Sequence, residues 1–152
     1  MSLQHLSLFL HLLGVITWVG GMAFAYVCLR PAATMLPPPM RLPLWAATLE
    51  RFFALVWGAI VLILASGFGK LAAVGFANAP GAWHWMMLTG LTMVVVFVTL
   101  WFGPWRRLKA AVAAEDWAAG ATALAAIRHR VAINLVLGVI TVGIATLGLA
   151  WL

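Results

Sequence analysis

Four apolar runs, at residues 6–29, 52–69, 83–105 and 131–152, constrain this chain more than any other feature, and the second runs on toward Phe76. A bilayer core of about 30 Å takes roughly 20 residues of α-helix to cross. The residues are 66% hydrophobic and 8% charged, and the mean hydropathy is +1.11. A soluble domain of 152 residues cannot hide that much apolar surface, so lipid is the solvent. In lipid, only helices and closed barrels satisfy the backbone, and the short alternating strands of a barrel are absent. The sequence therefore predicts an all-α integral membrane protein. It forms a single four-transmembrane-helix bundle over residues 1–152, with helices at about 4–29, 49–76, 82–105 and 123–152.

The charge gives the orientation. Nine Lys and Arg face three Asp and Glu, a net charge of +6. Arg30, Arg41 and Arg51 flank the first connection, and Arg106, Arg107, Lys109, Arg128 and Arg130 flank the third. Only Lys70 lies toward the other side. This bias predicts two cytoplasmic connections and both termini on the periplasmic side of a bacterial inner membrane, in a multi-pass protein. It also accounts for the basic residues without nucleic acid, for which no motif is present. Glu50, beside Arg51, is expected to form a structural ion pair, because a carboxylate at the membrane edge needs a cationic partner. The first run lacks a positive n-region and reads as a retained helix, not a signal peptide. The single cysteine, Cys28, excludes an internal disulfide.

The connections differ in character. The stretch 35–43, MLPPPMRLP, reads as a stiff extended loop. Residues 75–82, GFANAPGA, form a short turn that makes the second and third helices antiparallel neighbours. The alanine-rich third connection holds either an interfacial helix or an early extension of the fourth helix. Gly14, Gly21, Gly58, Ser66, Gly67, Gly138 and Thr141 are small residues suited to close helix packing. Trp83, Trp85, Trp105 and Trp151 are expected at the interfaces.

Histidine inside an apolar run is the chemical signal. His11 lies roughly 10 Å below the start of the first helix at 1.5 Å per residue. His84 lies in the first turn of the third helix, with Met86 and Met87 beside it. His5 reads as interfacial, and His129 stands at the other face between two arginines. His11, His84 and Met87 thus share the outer half, where no Asp or Glu occurs. Two helices starting at one surface can grip a haem through His–His or His–Met ligation. Imidazole and thioether together equally suit Cu(I). A catalytic zinc site and carboxylate acid–base hydrolysis both lack their residues.

Four stretches in order carry a family likeness. They are HLLGVITWVGGMAFAYVCLRPA, LERFFALVWGAIVLILASGF, WHWMMLTGLTMVVVFVTLWFGPWRRL and IRHRVAINLVLGVITVGIATLG. Together they resemble small four-helix bacterial membrane proteins of the CopD (copper-resistance D) type and the related HemJ-type protoporphyrinogen oxidases. The HemJ resemblance implies haem b held by the first-helix histidine, His11 here. The third-helix lysine of that family falls at Met87, which argues against protoporphyrinogen oxidation and leaves haem binding open. The CopD resemblance implies copper uptake across the inner membrane.

The leading expectation is a haem-b-binding redox protein exchanging electrons with quinone or another membrane redox protein. His11 and His84 are its metal ligands, and Met87 is the substitute for His84. Trp18 and Gly14 border the macrocycle, and Lys70 faces a propionate. The alternatives are a copper-transport or copper-handling protein using His11, His84, Met86 and Met87, and an assembly subunit without cofactor. A homo-oligomer is compatible with all three.

Overall fold

In the computed structural model, residues 3–148 are described. Four helices there are long and apolar enough to cross a membrane: α1 (Leu3–Ala33), α2 (Pro38–Val74), α3 (Gly81–Ala113) and α4 (Trp117–Thr146). The expected all-α, four-span architecture is therefore present among the described residues. Trp151 lies outside them.

The helices run further than expected at the basic end. α2 begins at Pro38 rather than near residue 49, so the proline stretch is helix and not extended loop. Pro37 is the extended N-cap residue (φ −64°, ψ 155°), and Pro38 and Pro39 occupy the first turn. A first turn needs no intrahelical N–H, so proline starts a helix there without losing a hydrogen bond. With 37 residues, α2 is about 55 Å long and extends well beyond a bilayer core. Of the two readings of the third connection, the extended α4 is present, and α3 also continues to Ala113. Only Ala114–Asp116 separate them. Glu115 takes a left-handed conformation (φ 54°), and Asp116 caps α4 by accepting from the Ala119 N–H at 2.9 Å.

Three wide π-helical turns interrupt the spans. Ala25–Leu29 lies just before Pro31, and Trp101–Trp105 contains Pro104. A proline removes one ladder donor and crowds the preceding carbonyl, which favours local widening. Ile16–Gly20 has no proline, but Thr17 Oγ1 donates to the Leu13 carbonyl at 2.8 Å and competes with the ladder there.

α1 packs along α2, and α3 along α4. Glycine allows close approach at several points, including Gly21 against the Phe52 ring and, between α4 and α1, Gly138 against Val19. A Cβ on Gly14 would stand 2.8 Å from Ile63 Cγ1 and 3.0 Å from the Ala59 carbonyl oxygen. A Cβ on Gly138 would stand 2.9 Å from Val19 Cγ2. Gly58, grouped with these from sequence, has nothing within 4 Å and makes no such contact. Thr141 and Thr89 join α4 to α3 through hydroxyls 2.7 Å apart.

Aromatic rings close the middle and basic end. Phe53 on α2 meets Phe97 and Trp105 of α3 edge-to-face, at 5.5 and 5.2 Å between centroids. Trp57 meets Phe97 at 5.2 Å, and Trp18 of α1 meets Phe97 at 6.1 Å. Trp105 is thus a core residue, 2% exposed, and not an interfacial one. The cause is the continuation of α3, which leaves Trp105 two turns from the helix end. Glu50 is exposed, and no ion pair to it is found among the described residues, so the expected structural pair is absent.

Candidate functional site

At the opposite end the helices border a partly open cavity of about 480 Å³. All four helices line it. Its chemistry is carried by His11, Lys70, Met86, Met87, Met93 and Thr141, on otherwise apolar walls that include Trp18 and Trp83. No carboxylate lines it. Volume and composition match a ligand site: mostly apolar, with few polar groups that fix orientation.

His11 is the best-defined polar group there. Its Nδ1 lies 2.8 Å from Ser66 Oγ on α2. Ser66 Oγ also approaches the carbonyls of Leu62 and Ile63, at 2.5 and 3.1 Å. A hydroxyl has one proton, and two carbonyl oxygens at those distances claim it. Ser66 Oγ therefore accepts from His11 Nδ1–H. That assigns the proton to Nδ1 and leaves the Nε2 lone pair on a ring bordering the cavity. Gly67 faces this ring, and a Cβ there would make ordinary contact with it, 3.7 Å from His11 Cε1.

Ser66 was grouped with the small packing residues, and its role as a partner was missed. Register contains the signal. His11 lies eight residues after Leu3, and Ser66 lies eight before Val74. In an antiparallel pair, those positions sit at the same depth.

Of the expected site residues, the structure brings His11, Met87, Trp18 and Lys70 to one cavity, with Met86 beside them. His84 is not among its lining residues. Its Nε2–H donates to the Phe76 carbonyl at 3.2 Å, and its ring stands edge-on to Phe76 at 4.6 Å. His84 thus ties the start of α3 to the Phe76–Asn78 turn. Gly14 lies in the α1–α2 contact and not on the cavity wall. Among the described residues, no group of three His, Cys, Asp or Glu side chains converges to hold a metal ion. Beside His11, the sulfur-bearing residues lining the cavity are Met86, Met87 and Met93.

One further polar group is unusual. Asn134 on α4 is buried and donates from Nδ2 to the Met93 carbonyl at 3.0 Å, while its Oδ1 has no partner.

The family model described as Copper resistance protein D matches residues 46–147. The match runs from within α2 through α3 to the end of α4, and leaves α1, with His11 and Trp18, outside it. No curated protein and no solved structure matches the chain.

Proposed function

The chain belongs to the copper resistance protein D family, and on that premise we propose that it is a copper-handling membrane protein whose cargo, Cu(I), enters the cavity between the helix pairs. The observation that carries this reading is the joint presence of His11, Met86, Met87 and Met93 around one carboxylate-free space. Imidazole and thioether are soft or borderline ligands that suit Cu(I), whereas hard cations need oxygen. The Ser66 contact supports a role for His11 as first ligand, because metal-bound histidines commonly donate the other ring N–H to a fixed partner. Met86 and Met87 supply sulfur on flexible stems that can close on an ion.

The whole chain acts as one four-helix unit of the bacterial inner membrane, with both termini periplasmic. The cavity then opens toward the periplasmic side, and the basic connections face the cytoplasm. This orientation rests on eight cations at one end against Lys70 at the other.

Two observations favour a second reading, haem b. A space of about 480 Å³ exceeds the needs of one copper ion, and the Lys70 ammonium on its wall suits an anionic substituent better than a cation. In that reading His11, with Met86 or Met87, would hold the haem iron, and Lys70 would offset the charge of its carboxylates. Bound haem would supply one-electron exchange with quinone or another membrane redox partner. The two readings separate on one purified sample. Anaerobic Cu(I) competition reports retained copper, and the visible spectrum reports a Soret band.

A further inference from the structure

Three arginines from three helices meet at the basic end, away from the cavity. Arg30 lies in the last turn of α1, Arg41 in the first turns of α2, and Arg128 in the part of α4 nearest the basic end. Arg30 and Arg41 lie near enough to Arg128 for their charges to repel it. Arg30 stacks over the Tyr26 ring at 4.9 Å. Arg30 and Arg128 flank a narrow crevice of about 20 Å³, which Tyr26 and Trp45 also line.

The cluster is uncompensated. No ion pair to Glu50, Glu115 or Asp116 is found among the described residues. Arg128 is partly buried yet donates no hydrogen bond to a described residue, although a guanidinium carries five donors. Gathering like charges at one membrane edge favours an anion among them. The other cations at this end lack that arrangement. Arg106 stacks over Phe102 at 4.8 Å and Lys109 over Trp105 at 5.3 Å, and both are exposed.

We propose that Arg30, Arg41 and Arg128 form a binding site for a phosphate group, presented by an anionic phospholipid headgroup or by a soluble phosphate. The planar fork of arginine matches phosphate oxygens two at a time, and basic pockets between transmembrane helices suit such headgroups. The bound group ties α1, α2 and α4 together at the end opposite the cavity.

The protein in detergent is titrated with phosphatidylglycerol and, separately, with inorganic phosphate, while thermal unfolding and native mass are read. Wild type is expected to retain one phosphatidylglycerol and to unfold at higher temperature with it. Arg128→Gln should weaken that binding about fivefold, and Arg30→Gln with Arg41→Gln about 25-fold. Arg106→Gln with Arg107→Gln, outside the cluster, should leave it unchanged. A cluster-dependent response to inorganic phosphate alone keeps the site and assigns it a soluble ligand. Should Arg128→Gln not fold, Arg128→Lys keeps the charge, loses the fork, and is expected to bind more weakly than wild type. No response to either ligand, or an equal loss in the Arg106/Arg107 control, overturns the proposal.

Discussion

His11 Nδ1 and Ser66 Oγ stand 2.8 Å apart, 55 residues distant in sequence and at matching depth in α1 and α2. This contact turns a polar residue in an apolar span into an oriented one. Removing the hydroxyl by Ser66→Ala leaves Nδ1–H without its partner and costs about 1 kcal/mol of stability. It is also expected to lower Cu(I) affinity about tenfold, since the tautomer is no longer enforced. Ser66→Thr, which keeps the hydroxyl, should recover most of the affinity. Anaerobic competition with a Cu(I) chelator measures both, and wild-type affinity in Ser66→Ala would remove Ser66 from the account.

Gly14 and Gly58 make a matched pair. Alanine at Gly14 drives a methyl against Ile63 and the Ala59 backbone, whereas alanine at Gly58 meets nothing within 4 Å. Gly14→Ala should destabilise the protein by about 1–3 kcal/mol. Gly58→Ala should be neutral or stabilising by up to about 1 kcal/mol, through helix propensity. Thermal unfolding in one detergent compares them, and equal effects would contradict the close α1–α2 contact.

Asn134 carries a buried carbonyl oxygen with no partner. Leucine has similar bulk and removes that orphan along with one hydrogen bond to Met93. Replacing both needs by an apolar side chain is expected to leave stability unchanged or raise it. A loss above about 2 kcal/mol on unfolding would mean that Oδ1 has a partner in the membrane-embedded protein.

Cys28 reports orientation. It is exposed and lies near the basic end of α1. A membrane-impermeant thiol reagent should leave it unlabelled in intact cells and label it in inside-out vesicles. The reverse pattern would invert the bundle and move the cavity to the cytoplasmic side.

The four spans and the basic asymmetry were legible because hydrophobic run length and charge placement are local properties. Helix ends were not. Pro38 and Pro39 read as breakers, but breakers at a first turn are starters, and only position distinguishes the two. Trp105 read as interfacial because the end of α3 was set eight residues early. At the site, His11 stood out as a lone imidazole in an apolar run, and Met86 and Met87 followed from their depth. His84 shares that depth, but its neighbour in space is the Phe76 carbonyl in the preceding turn. Depth does not determine which way a side chain faces. Ser66 needed the register between helices, which becomes available once both helix ends are known.

The central claim is that His11 and the methionines around it bind Cu(I). It is tested most directly by anaerobic Cu(I) competition on wild type and on His11→Ala, with the visible spectrum of each sample recorded. Wild type is expected to be colourless and to retain Cu(I), His11→Ala to lose most of that affinity, and Met86→Ala with Met87→Ala to weaken it further. Wild-type Cu(I) affinity in the His11→Ala protein, or a red wild-type preparation that binds no Cu(I), would contradict the claim.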